Sequence, residues 1–343
     1  MVQINMESWI KRSLARIFAG EGQAGECLTG EQEQIARIKP KIEKARRKDR
    51  KLSVFGARSH KYQMNERLTA EELAKWELKT GVRLPEHFAL FLTELGNGGA
   101  GPYYGVYDID KAFLNTIDNQ GETEGNHLLE KCSLHPKMTD DEWKSLAAPL
   151  IEDEDQDIAN DEYDEALRKV FGGMLKFGTQ GCTYDMYIVI EGEHRGRIVY
   201  THDHYEHQFF FVRENNFLDW YERWLDDIIA DYEMDQFGYR MGGDEATLID
   251  VYKNSADNSV KLDALNGMLK FRKISQATHD FLKNLIEMNE NHITALQVVC
   301  KSSFETGKAY IQRQLYLEND ENFLGLLRIL RWYGKDSKND DMT

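Results

Sequence analysis

Apolar residues along this chain change period several times, and each change marks an element. Phe88, Phe91, Leu92 and Leu95 recur at i, i+3, i+4 and i+7, which predicts an amphipathic helix with Glu86, His87 and Glu94 on its outer side. Pro85 suits the first turn of that helix, where its missing N–H would have no intrahelical partner. Gly96 ends it. Asn97, Gly98, Gly99, Ala100, Gly101 and Pro102 then suit a sharp turn through positive φ, and 103–108 reads as an aromatic strand.

Thr69 with Glu72 and Thr139 with Glu142 have capping-box spacing, so a helix should start at each, presenting Leu73 with Trp76 and Trp143 with Leu146. Residues 37–51 hold nine Lys/Arg and two acids on a helical pattern that includes Ile35, Ile38 and Ile42. With no interleaved aromatics, this reads as a solvated helix face rather than a nucleic-acid arm. Residues 111–138 have only a short apolar run near Leu128 and read largely as loop. Tyr163, Ala166, Leu167 and Val170 predict a helix capped by Asn160.

Segments 174–178, 183–191, 197–202 and 207–213 read as four strands of an antiparallel meander. Phe217, Trp220, Tyr221, Trp224, Leu225, Ile228 and Ile229 form the most regular stripe in the chain, so the helix that carries them should cover the sheet, with helices on one side. After Gly242 and Gly243 the pattern is helical alone, over 244–254, 259–272, 275–289, 291–303, 305–318 and 321–333, and pairs about 30 residues apart suggest HEAT-like stacking. The expected fold is therefore α+β: an antiparallel-rich sheet flanked by helices, followed by an all-helical carboxyl-terminal domain. The expected divisions are an amino-terminal helix and Gly-rich link over 1–30, a main domain over 31–235 and the helical domain over 236–343.

With 343 residues, 41% of them hydrophobic, the chain is long enough for two cores. The segment 9–18 is broken by Lys11, Arg12 and Arg16, too short and too charged for a signal peptide or a membrane span, so a cytoplasmic location is expected. Cys27, Cys132, Cys182 and Cys300 form no CxxC and signal neither a zinc site nor a disulfide framework. The net charge of −16 is concentrated: residues 61–235 hold 16 Lys/Arg against 37 Asp/Glu. Such a field repels nucleic acid and speeds encounter with a basic protein; its bland reading is solubility. Within 152–165 there are nine acids and no base, and Glu152, Asp153, Glu154, Asp155 and Asp157 would form a charged lip.

Few residues suggest chemistry. The glycines at 96–101 lack both a following Gly-Lys-Ser/Thr and the GxGxxG spacing, and a helix precedes them where a phosphate loop needs a strand. His202, His204 and His207 are the densest group of metal-ligand types, against which stands the absence of HExxH or a spaced Cys/His set. Cys182 precedes a strand rather than opening a helix and reads as a buried or half-buried thiol. Asp108 and Asp110 are an i, i+2 pair with nothing nearby to separate their pKa values. No enzyme, metal or cofactor is expected.

The segment 81–110, with its leucine-proline helix start, its Asn97-Gly98-Gly99-Ala100-Gly101 turn and its Tyr104-Gly105-Val106-Tyr107 strand, resembles the SMI1/KNR4 family, also called the SUKH superfamily. Phe55-Gly56-Ala57-Arg58-Ser59-His60-Lys61-Tyr62, Leu68-Thr69-Ala70-Glu71-Glu72-Leu73, Gly181-Cys182, the 192–196 hairpin and Phe217-Leu218-Asp219-Trp220-Tyr221 extend the likeness over 31–235. The resemblance implies partnership rather than catalysis: many bacterial members are immunity proteins that neutralise a toxin, and fungal members are regulators of cell-wall synthesis. It implies a SUKH-like fold and a cognate toxin, and the acidic balance of 61–235 adds the expectation that this toxin is basic and nuclease-type, its active site occluded; the alternative is a non-enzymatic scaffold that binds a host protein. Tyr103, Tyr104, Tyr107 and Tyr184 are then the expected anchors, with Asp108, Asp110, Asp185, Asp203 and the acids at 152–157 as steering groups.

Overall fold

The computed structural model describes residues 30–118, 127–152, 160–315 and 320–334. They fall into two compact units, one ending at Ile229 and the other starting at Ala230. The expected boundary at 235/236 shifts because the apolar stripe stops at Ile229, and Tyr232 already packs on the second core. The helix expected at 5–18, the link before Gly30 and residues 153–157 of the acidic lip lie outside the described residues.

In chain order the first unit holds α1 (Gly30–Lys48), α2 (Ala57–His60), α3 (Ala70–Thr80), α4 (Glu86–Leu90) continuing into a π turn (Phe91–Leu95), α5 (Ile109–Asp118), a 3-10 turn (His127–Leu129), α6 (Asp140–Glu152) and α7 (Asn160–Phe171). The strands follow as β1 (Met174–Gly181), β2 (Tyr184–Val189), β3 (Ile198–Thr201) and β4 (Phe210–Phe211), and α8 (Phe217–Ile229) closes the unit. The sheet is an antiparallel meander in the order β1-β2-β3-β4, with Met174 opposite Val189, Asp185 opposite Thr201 and Val199 opposite Phe211.

Both faces of this sheet are covered, not one. Strand residues alternate in direction. Phe177 meets Phe217 and Trp220 of α8, and Tyr200 accepts a hydrogen bond from Trp220 Nε1 at 2.9 Å. On the other face Met174, Tyr187, Val189 and Val199 cluster with Trp143 and Ala147 of α6 and with Leu167, Val170 and Phe171 of α7. The stripe at Tyr163 to Val170 is therefore a second lid on the sheet, which its periodicity alone does not indicate.

Two further expectations change. The 103–108 segment is not a strand: Tyr103 (φ 55°) and Gly105 (φ 93°) turn the chain, leaving single bridges from Val106 to Gly178 and from Gly99 to Val106. The 111–138 loop contains most of α5, because Ile109, Ala112 and Thr116 fall on one buried side and Asp108 accepts a hydrogen bond from the Lys111 N–H at 2.9 Å.

The second unit contains α9 (Glu245–Asn254), α10 (Asn258–Met268), α11 (Gln276–Glu287), α12 (His292–Ser302), α13 (Phe304–Leu315) and α14 (Asp320–Tyr333), with no strand among the described residues. Asp244, Asp257 and Ser275 cap α9, α10 and α11 through their side chains. The helices pack as hairpins α9/α10, α11/α12 and α13/α14; the second helices form a row, α10 against α12 and α12 against α14. Gly307 and Gly325 permit the closest approaches to α12, at Cys300 and Ile293. Among the described residues no helix is long and apolar enough to cross a membrane.

Candidate protein-binding surface

The glycine-dense turn is a crossing of backbones. A Cβ on Gly98 would stand 2.6 Å from the Tyr107 carbonyl, and one on Gly99 would stand 2.8 Å from Cα of Met64. A Cβ on Gly56 would fall inside the Tyr103 carbonyl, so the 52–62 and 97–107 loops touch chain to chain. Asp49 holds the first loop from below. It is buried and accepts hydrogen bonds from the Ser53 N–H at 2.7 Å, the Val54 N–H at 3.2 Å and the Tyr62 hydroxyl at 2.9 Å. Tyr62 and His60 pack on Trp224 of α8, which ties the loop to the core.

Two exposed aromatic rings stand on this crossing and a third beside it, at the start of β2. Phe55 is 49% exposed, Tyr104 42% and Tyr184 40%. Phe55 lies edge-on to Tyr104 with centroids 5.4 Å apart. Tyr104 leans on Gly181, which is the β-ladder partner of Tyr184, and Tyr184 is 6.0 Å from the His202 ring. The patch thus runs from the 52–62 loop across the β1–β2 turn to the end of β3. The sequence reading missed Phe55 as a contact residue; an aromatic beside a glycine in a short, polar loop was its only signal.

The remaining expected contact residues divide by environment. Tyr103 is buried and supports the patch against Tyr200, 6.1 Å away, so it is not an anchor. Tyr107 is half-buried beneath Lys111, whose Nζ lies 4.1 Å from the ring centroid; burial, then the Asp185 charge, raise its pKa. Asp185 is committed to Lys176 at 2.7 Å, with side chains 19% and 12% exposed, and Asp108 is committed to the start of α5. Asp110 and Asp203 are exposed, and Glu152 is the last residue of α6. Arg58 and Lys61 are also exposed on the Phe55 loop, so the local charge is mixed.

His202, His204 and His207 approach one another, with ring centroids 6.3 and 6.5 Å from His202. Among the described residues no group of three or more His, Cys, Asp or Glu is arranged to hold a metal ion. Burial, and then the charges of His204 and His207, lower the His202 pKa, and its Nδ1 has no hydrogen-bond partner among the described residues. Cys182 is exposed in the β1–β2 turn at φ 51°, not half-buried as its sequence context suggested. Burial raises the other described thiols, Cys132 to about 11 and Cys300 to about 12, which keeps both protonated and unreactive at neutral pH.

A separate groove of about 740 Å³ opens between α3 and α4, floored by Leu68, Leu73, Ala89 and Leu90. Two of its acids are engaged: Glu77 accepts from the Leu84 N–H at 3.0 Å, and Glu94 pairs with Lys39 at 3.4 Å and with Arg67 at 3.9 Å. The Thr69 hydroxyl on its rim donates to Glu72 at 2.8 Å as part of the α3 cap.

The chain matches no family model, no curated protein and no solved structure.

Proposed function

We propose that this protein is a non-catalytic binder of the immunity type, in which the Phe55, Tyr104 and Tyr184 patch covers the active-site face of a basic protein toxin. The observation that carries the reading is the patch itself. Large apolar rings are held in the open by a loop crossing with no slack, and rigid, partly exposed aromatics contribute most to protein–protein binding because little side-chain entropy is lost on docking. The motif resemblance to the SMI1/KNR4 family over 31–235 supports the same class. The excess of 21 negative charges in residues 61–235 supports a basic partner, with nuclease surfaces the best fit because they are built to attract phosphate.

The test is co-expression with a toxin gene adjoining the gene for this chain. Wild-type protein should restore growth, and Phe55→Ala with Tyr104→Ala should abolish rescue while leaving the urea midpoint close to wild type. Rescue that survives both substitutions would place the binding face elsewhere. Turnover of a small substrate by the purified chain would end the non-catalytic reading. A scaffold reading, in which the helical unit docks a host protein, has one observation in its favour, the exposed face of α14.

A further inference from the structure

Helix α14 is the last of the row α10, α12, α14, and it packs on α12 and α13 through one half of its circumference. Leu326 and Ile329 are buried there, and Gly325 lets the backbone approach Ile293. The opposite half is not uniformly polar, as the outer surface of a helix at the edge of a stack ordinarily is. It presents Phe323 (41% exposed), Leu324 (60%), Leu327 (41%) and Trp332 (55%) to solvent. These four are the densest run of exposed large apolar side chains among the described residues.

We propose that this outward face of α14 docks an amphipathic helix of a partner protein whose apolar stripe is flanked by carboxylates. The row continues naturally at this position: a further helix laid on α14 would repeat the packing of α14 on α12. Helical spacing puts Leu324, Leu327, Arg328 and Arg331 on one side at i, i+3, i+4 and i+7, and both arginines are exposed. An incoming helix that buries the leucines therefore meets two guanidinium groups, which pair best with carboxylates. A second copy of this chain is the poorer occupant. Around a two-fold axis near Leu327 the two Arg328 side chains approach each other, and like charges oppose the pairing. This surface belongs to the second unit and stands independently of the aromatic patch of the first.

The probe is a synthetic amphipathic helix with leucines at i, i+3, i+4 and i+7 and glutamates elsewhere, titrated into the full chain by calorimetry. Its counterpart with lysine in place of glutamate is the control. The glutamate peptide should bind, weaken with added salt, and lose about tenfold or more in affinity with Leu327→Glu or with Arg331→Glu. Leu324→Ser, a milder change, should weaken it in the same direction, and an unchanged urea midpoint would show each variant folded. Absence of binding, equal binding of the lysine peptide, or affinity unaltered in all three variants would overturn the proposal. So would a concentration-dependent dimer by sedimentation that Leu327→Glu abolishes, since the face would then belong to a second copy. Binding of the chain to anionic vesicles, lost in the same variant, would assign the face to a membrane instead.

Discussion

Tyr104 rests directly on Gly181: a Cβ at position 181 would stand 2.7 Å from Cε2 of the tyrosine ring. The tyrosine N–H donates to the Thr179 carbonyl at 3.4 Å, and the Gly181 N–H donates to Thr179 Oγ1 at 3.0 Å, so one threonine organises both. Gly181 also has φ +100°. Gly181→Ala is expected to cost about 1–3 kcal/mol, from left-handed strain and the displaced ring. Tyr104→Ala, which removes a ring already 42% exposed, should change stability by less than about 1 kcal/mol. Urea midpoints of the two variants, compared with partner binding, separate the support of the patch from its contact.

His60 should make stability fall in mild acid. Burial is the main cause that lowers its pKa to about 4, with the Asp49 charge and then a hydrogen bond to the Gly101 backbone acting the other way. Its Nδ1 accepts from the Tyr62 N–H at 3.0 Å, an arrangement only the uncharged ring satisfies. A folded-state value below the unfolded value of about 6.5 means the unfolded chain binds the extra proton between the two. The contribution is thus complete above pH 6.5 and is lost as pH falls toward 4. The full loss is on the order of 3 kcal/mol. Unfolding free energy followed from pH 7.5 to pH 4 should fall less steeply in His60→Gln than in wild type; parallel curves would remove His60 as the cause.

The charged group carried by α8 has a different signature. Arg223 donates to Glu214 at 2.5 Å and to Asp227 at 3.3 Å, with all three side chains about a tenth exposed or less. Burial opposes the guanidinium charge, yet the two carboxylates together hold its pKa above the ordinary value. Arg223→Met strands two acids and should cost about 3–5 kcal/mol, whereas also replacing Glu214 and Asp227 with apolar residues of similar size should recover most of that loss. The urea midpoints of the single and triple variants check this. A single variant as stable as wild type would show that the group makes no net contribution.

Two capping boxes offer a graded control. Thr69 Oγ1 accepts from the Glu72 N–H at 3.1 Å and Thr139 Oγ1 from the Glu142 N–H at 3.2 Å, while each glutamate reaches back to its threonine N–H. Hydrogen bonds from the threonine are the main cause that lowers the pKa of each glutamate. Thr69→Ala and Thr139→Ala should each cost roughly 1 kcal/mol in thermal or urea unfolding, and the double variant should show the sum because the boxes share no residues.

What the chain disclosed and what it withheld follow from the reach of each interaction. The α8 stripe, both capping boxes, the meander and the six carboxyl-terminal helices depend on residues within one or two turns of each other, so periodicity and spacing located them to within a few residues. The 103–108 segment failed because its conformation answers to Gly56, far away in sequence, whose contact with the Tyr103 carbonyl forces a left-handed turn on an otherwise strand-like run. The α5 helix was hidden for the opposite reason: Ile109, Ala112 and Thr116 form a narrow buried stripe with few large apolar side chains. The second lid on the sheet, α6 with α7, was legible as helices but not as a layer, since no local pattern says which face of a sheet a helix will cover. Among the expected contact residues, exposure separated Tyr104 and Tyr184 from Tyr103, and no sequence signal distinguishes three tyrosines in such similar company. Asp185 and Asp108 looked free only because Lys176 and the first turn of α5 had not yet been placed beside them.

Because the 52–62 and 97–107 loops meet through their main chains at Gly56 and Tyr103, neither has room to adjust on its own. Retargeting the molecule by grafting would therefore require moving both segments as one cassette. A transplant of either half alone into another scaffold should misfold at the seam rather than carry over its specificity.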